Sequence, residues 1–508
     1  MSSRSNEAAS RRLSRSVVTR YAIGSLGTGG FATLPGLVLV YYLTDSLGVA
    51  AIVAGLIVGV AKVWDVLIDP VIGGLSDRAL ARSGSRRGPM IVGAVGLPVA
   101  FVLTFAVPPG LPPALSAVWV MIAFIAAATC FSLFQVPYIA LPAELTNGYR
   151  ERTRLLTWRV FVLTLAILLF GAGGPEVRGL FPNNPTLGYL TMAVVAALVL
   201  GLGLGVSSSI APRGRAVGAV RSSPEANPPV FSLDHYREGL AVLRDSQPFR
   251  ALLGTFVLQA LATGMMLAGA QFVATWVLHD EGAVTVLFAS LIAPALIFAP
   301  VWQKVADRLG KERSFRIASA AFLVATLALI GMLWAPGWWI VAPVALAGAA
   351  YAGMQTLPMA MLPDVIGADT AATGDGRAGV FGGVWTAGET AGMALGSTVL
   401  TVVLALTGYV ESTAGVTVTQ PASAVNGISL SFSLVPAVLM VGSLLVLRRY
   451  RLRERDVVAN AARIVDLAGA PRTDEYGAAL PPEGRASTRQ AEVRGSAQPP
   501  EDDKRRAE

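Results

Sequence analysis

The stretch Lys62-Val63-Trp64-Asp65-Val66-Leu67-Ile68-Asp69-Pro70 lies inside an apolar run, 50–76, long enough to cross a bilayer. A charged side chain at the centre of such a helix costs about 2.5–3.5 kcal/mol on insertion scales. Three in one helix call for a reason. Residues 62, 65 and 69 are spaced i, i+3, i+7 and project from one helical face. That face looks into a protein interior or a watery cavity, and an ion or proton site is the economical reading.

The same criterion applied outward yields about twelve runs: 18–45, 50–76, 89–108, 114–142, 155–174, 186–210, 249–278, 284–306, 314–335, 338–362, 378–407 and 428–448. The 508 residues are 54% hydrophobic and only 14% charged, where a soluble protein carries about 25%. The Arg-rich N-terminus runs straight into a full span, so no cleavable leader is expected. Basic residues crowd alternate loops: Arg78, Arg82, Arg86 and Arg87, then Arg150, Arg152 and Arg154, then Arg308, Lys311 and Arg313. Loops 44–50, 108–115 and 406–427 hold no Lys or Arg. This predicts a multi-pass protein of the cell membrane with both termini cytoplasmic. The charge of +8 therefore reports topology, and no nucleic-acid partner is expected.

The expected fold class is an all-α membrane protein of twelve transmembrane helices in two pseudo-symmetric six-helix bundles. The expected divisions are an N-terminal segment 1–17, bundles 18–210 and 249–450, a Pro-rich loop 211–248 and a disordered tail 451–508. A short helix is expected at 232–244, where Leu233, Tyr236, Leu240 and Leu243 share a face. Asp77-Arg78 closes the second span and Asp307-Arg308 the eighth, a weak repeat that predicts a ligand site near the midplane between the bundles.

Asp65 and Asp69 are one turn apart, about 6 Å between Cβ atoms. Two carboxylates that close either hold a proton or share a cation. Pro70 frees the carbonyl of Val66 from the helix ladder, and hard cations prefer such oxygens. The plainer reading is a structural Lys62–Asp65 pair with Asp69 tied to a neighbouring helix. Glu389, beside Thr390, is a second intramembrane acid and shares a face with Trp385. Gln135, Tyr351 and Gln355 bring polar groups to membrane depth, to meet a polar solute or to bond across helices. Arg159, near the start of the fifth span, either turns inward or snorkels. Asp77, Arg78, Arg86, Arg87, Glu144, Asp307, Arg308 and Asp364 are expected to gate the inner mouth through charge pairs between helix ends. Glycines 24, 27, 29, 30 and 36 suit either a cavity-lining helix or close packing.

Other chemistry has little to stand on. Cys130 is alone, so no intramolecular disulfide forms. His235 and His279 are far apart, and no zinc spacing, phosphate loop or nucleophile elbow is present. No cofactor is expected beyond a coupling Na+ or H+, and no enzyme activity.

Four stretches resemble the major facilitator superfamily, and within it the glycoside–pentoside–hexuronide:cation symporters. They are Tyr41-Tyr42-Leu43-Thr44-Asp45; Trp64-Asp65 with Asp69-Pro70; Pro137-Tyr138-Ile139-Ala140-Leu141 through Glu144-Leu145-Thr146 to Arg159; and Leu362-Pro363-Asp364 through Thr373-Gly374, Arg377, Gly379 and Phe381 to Trp385. The resemblance spans about 18–450. It implies the major facilitator fold, a cation at Asp65 and Asp69, and Arg159 at a sugar site. Tyr138, Gln135, Tyr351, Gln355, Trp385, Glu389 and Thr390 are expected to meet the solute beside it. Asp65 and Asp69 would be the metal ligands if sodium is the coupling ion. The family's sugar-liganding acids are missing: Gly29 or Gly30 and Gln135 stand at their places, Thr390 at that of a lysine, and Ile68 at that of an assisting asparagine. The expected function is cation-coupled symport of a small organic solute, a sugar or glycoside, by a monomer. A lysolipid or amphiphile transporter on the same scaffold is the alternative, and a membrane receptor or scaffold using the tail is a third reading.

Overall fold

A computed structural model describes residues 13–146, 149–211, 241–373, 378–416, 418–453, 455–457 and 459–460. Among them are twelve helical spans long and apolar enough to cross a membrane. They are α1 (Arg15–Asp45), α2 (Ala51–Ser83), α3 (Arg87–Phe105), α4 (Pro113–Leu145), α5 (Tyr149–Gly179), α6 (Pro185–Ser208), α7 (Gln247–Phe272), α8 (Ala283–Leu309), α9 (Lys311–Ala328), α10 (Val341–Thr373), α11 (Ala378–Leu406), and a last span divided into α12 (Ala422–Phe432) and α13 (Leu434–Leu447). In hydrocarbon a backbone group has no water to bond, so each span satisfies its N–H and C=O groups internally as a helix. A π turn, Val273–Val277, ends α7 and carries Trp276. Val95, Ile122, Leu198 and Leu202 stand exposed, as side chains facing lipid do.

The spans form one compact unit, up to Val365 and from Ala378 to Arg451, while the segments from Ile366 and from Leu452 make a second, small one. Within the first unit, α1 packs on α5 and α6, α3 on α4 and α6, and α2 on α4. In the second half of the chain α7 packs on α11 and α13, and α9 on α8 and α13. The halves meet along α2–α11, α5–α8 and α1–α7. α1 begins and α13 ends on one face, the chain-end face; the other is the far face.

The glycines of α1 are explained by packing. A Cβ on Gly24 would lie 2.6 Å from Ser207 Oγ, one on Gly27 2.2 Å from Leu204, and one on Gly30 2.6 Å from Phe170. A Cβ on Gly29 would lie 2.8 Å from that of Ala166. An acidic side chain has no room at either 29 or 30, so the absent sugar-liganding acid is matched by closer helix packing. Of the helix expected at 232–244, residues 241–245 are helical; the rest, most of the loop 211–248 and nearly all of the tail beyond 455 lie outside the described residues.

Candidate functional site

Asp65 and Asp69 sit in the middle third of the 33-residue α2. Lys62 Nζ is 3.1 Å from Asp65 Oδ2, so the structural pair does form. It leaves other oxygens unclaimed. Asp65 is 8% exposed, and the Oδ1 atoms of both Asp65 and Asp69 are buried with no hydrogen-bond partner. Ser132 of α4 turns its hydroxyl to Asp69. The Trp64 indole N–H donates to Thr129 Oγ1 at 2.8 Å and fixes α2 against α4. Two buried, unclaimed carboxylate oxygens on residues one helical turn apart, with a hydroxyl beside Asp69, can hold a proton or a hard cation. No group of three or more His, Cys, Asp or Glu suited to a metal exists among the described residues, so a cation here would take ligands beyond the two aspartates.

On the same half, Arg159 turns inward rather than snorkelling. Its guanidinium lies 5.3 Å from the Tyr138 ring centroid, and its Nε is buried without a partner. Tyr138 itself is 0% exposed. Its hydroxyl donates to the Tyr21 carbonyl at 2.7 Å and bonds Ser25 Oγ at 3.0 Å, and its ring stacks on Tyr21 and Phe134. Tyr138 thus backs Arg159 from the core and presents no exposed surface in this conformation. Gln135 is half-buried and accepts from Thr28 Oγ1 at 2.9 Å.

On the other half, Gln355 of α10 reaches both Tyr351, one turn before it, and Glu389 of α11. Tyr351, Gln355, Glu389 and Thr390 are all partly exposed. Trp385 is not: it is 2% exposed and stacks on Phe256 of α7 at 4.5 Å. Its place is packing between α11 and α7, because a flat ring with one donor fills that seam.

Several of the expected gate residues pair between helix ends. Arg86 pairs with Asp77 at 2.6 Å and with Glu144, and also donates to Ser76 Oγ at 2.7 Å. Lys311 pairs with Asp364 at 2.6 Å. Each of these pairs lies inside one half, so it braces neighbouring helices and does not tie the halves across the chain-end mouth. Arg78, Asp307 and Arg308 are exposed, and Arg87 keeps its Nε buried without a partner.

The halves are tied at the far face instead. Asp45 accepts from the Tyr409 hydroxyl at 2.6 Å, Arg178 pairs with Glu281 at 3.1 Å, and the backbone bridges Leu47 to Thr413. In the sequence Asp45 stands out only within its motif, and Tyr409, Glu281, Leu47 and Thr413 carry no local signal. One signal was available: Arg178 is a basic residue at the far end of its span, against the general distribution.

Residues 20–454 match the family described as MFS/sugar transport protein. The chain belongs to this family. It is a multi-pass membrane protein and a secondary transporter. It is 25% identical over 514 residues to an uncharacterized symporter of Synechocystis sp., covering 84% of this chain and 92% of that one. It is 24% identical over 452 residues to a glucuronide carrier protein homolog of Escherichia coli, covering 88% and 94%. Among solved structures, a D-xylose-proton symporter superposes with a TM-score of 0.63 at 15% identity, over 85% of this chain and 96% of that one, which shows the fold.

Proposed function

We propose that this chain is a cation-coupled symporter of a small organic solute, a sugar or glycoside, working by alternating access as a monomer in the cell membrane. The observation that carries the coupling is the pair of buried, unpartnered Oδ1 atoms on Asp65 and Asp69. A buried polar atom without a partner is costly, and a bound cation or proton removes that cost. The names of similar proteins, a glucuronide carrier homolog and a glycoside/cation symporter of Escherichia coli, support the solute class. The basic loops support a cytoplasmic chain-end face; on that reading a structure tied at its far face is inward-facing.

Each residue then has a part. Asp65 and Asp69, with Ser132, hold the coupling ion, and Lys62 neutralises the charge of Asp65 when that ion leaves. Arg159, held against Tyr138, and Gln135 meet the solute from one half; Tyr351, Gln355, Glu389 and Thr390 meet it from the other. Ion binding favours the outward-open state and the solute completes closure, each ligand shifting the balance by its differential affinity.

The test is thermal unfolding of the purified protein in Na+, Li+ or K+ and across a pH series, with Asp65→Asn and Asp69→Asn beside the wild type. A ligand that binds only the folded state raises the midpoint by mass action. A Na+-specific rise lost in either variant assigns sodium; a pH-dependent midpoint flattened by the variants assigns the proton. No response of either kind removes the coupling site from these residues.

A further inference from the structure

The far-face contacts make a distinct device. Arg178 of α5 is 7% exposed. It donates to the Tyr189 hydroxyl at 3.1 Å and to Glu281 at 3.1 Å, and lies 6.0 Å and 5.4 Å from the ring centroids of Tyr41 and Tyr189. Its anchors Tyr41 and Tyr189 belong to its own half, whereas Glu281, across the interface, is 64% exposed at its side chain. The catch is fixed and its counterpart can leave into water. Beside it, Trp276 donates to the Tyr409 hydroxyl at 2.8 Å, and that hydroxyl donates onward to Asp45.

The segment Tyr409–Ala414 then crosses to the first half as a strap. Its amides at Ser412 and Ala414 donate to the carbonyls of Thr44 and Ser46 at 2.9 and 3.0 Å. Glu411 Oε1 accepts from the Ala51 amide at 3.0 Å, supplying the first turn of α2 with the negative group its own N-cap residue, Ala50, does not offer. Arg178, Asp45, Trp276 and the strap residues Ser412, Thr413 and Ala414 border a cavity of about 950 Å³, so water has room beside these bonds when they part.

We propose that Arg178, Asp45, Tyr409 and the 409–414 strap form the latch that closes the far mouth once in every transport cycle. The proposal rests on the alternating-access reading. In this proposal Arg178 and Asp45 are positioning residues that set the population of the closed state.

Two experiments on the full chain test it, with Cys130→Ala as background. The first joins the strap: Leu47→Cys with Thr413→Cys. Bridge partners in an antiparallel pair have Cα atoms about 4.5–5.5 Å apart, inside the disulfide range of about 4.4–6.8 Å. Oxidation is expected to form the bond and cut solute flux at least ten-fold, with recovery on reduction. Flux unchanged by a confirmed cross-link overturns the proposal, and so does failure of the pair to cross-link.

The second reads the latch without transport. Nitroxides at Leu115→Cys and Leu406→Cys, both exposed near the far ends of α4 and α11, report the separation of the halves. Glu281→Gln and Tyr409→Phe are each expected to enlarge the long-distance population at least three-fold, with Arg178→Lys shifting it less than Arg178→Gln. An unchanged distance distribution in correctly folded Glu281→Gln and Tyr409→Phe overturns the latch. A shifted distribution in a protein that moves no solute keeps the latch and overturns the symport reading instead.

Discussion

Replacing Gly55 by alanine is expected to push the protein out of its far-face-closed state without unfolding it. Gly55 of α2 faces α11 of the other half. A Cβ there would lie 2.0 Å from Thr401 Oγ1, 3.0 Å from its Cβ and 3.3 Å from its Cγ2. Rotating Thr401 exchanges one clash for another, because its Cβ stays in place, so the helices must separate by a few tenths of an ångström or more. Thr398 Oγ1 also donates to the Gly55 carbonyl at 3.4 Å, and that bond is stretched as they part. Overpacking of this kind costs about 1–3 kcal/mol. The cost exists only while α2 and α11 are pressed together, so it enters the conformational equilibrium in full, a shift of about 5–150-fold. The helix-propensity gain of about 0.5–1 kcal/mol for Gly→Ala applies to both states and cancels from that ratio.

The assay is double electron–electron resonance between nitroxides at Leu115→Cys and Leu406→Cys. Gly55→Ala should enlarge the long-distance population, and adding Thr401→Ala, which removes the two clashing atoms beyond Cβ, should return most of it. A distance distribution identical to wild type, or one that Thr401→Ala leaves displaced, would show that this seam does not set the closed state.

Further outcomes follow from other contacts. Gly171→Ala should act like Gly55→Ala, since its Cβ would meet the Phe288 ring at 2.0 Å across α5–α8, and Phe288→Leu should relieve it in the same distance measurement. Arg86→Gln strands Glu144, whose side chain is 10% exposed; thermal unfolding should show a loss of about 3–5 kcal/mol while the far-face distance stays put. Tyr450, beyond the last span, is raised above its ordinary 10.0 by burial and then by Asp364 and Glu312. A raised folded-state value means its stabilisation is complete below about pH 10 and is lost as pH climbs through the folded value, so Tyr450→Phe should flatten the alkaline fall in midpoint. In a flux assay, sugars or glycosides should compete with the transported solute and lysolipids should not; the reverse result selects the amphiphile reading.

The spans were legible because hydrocarbon leaves a chain few choices: a run of about twenty apolar residues must be a helix, and alternating basic loops order the runs. Lys62, Asp65 and Asp69 were legible for the same reason, since charge at membrane depth needs a use. What each polar residue touches was not. Tyr138 and Trp385 carry motif identity and polar atoms, yet packing buries both, one behind Arg159 and the other on Phe256. The glycines of α1 read equally as cavity or seam until α5 and α6 occupied the space beside them. The charges of the basic loops could have paired across the halves or within them, and only the placement of α2, α4, α9 and α10 decided for within. The far-face latch joins residues such as Asp45 and Tyr409, 364 apart in the chain. A local pattern encodes helix, depth and sidedness; a contact between residues so distant depends on how the two halves meet, which the tertiary structure alone decides.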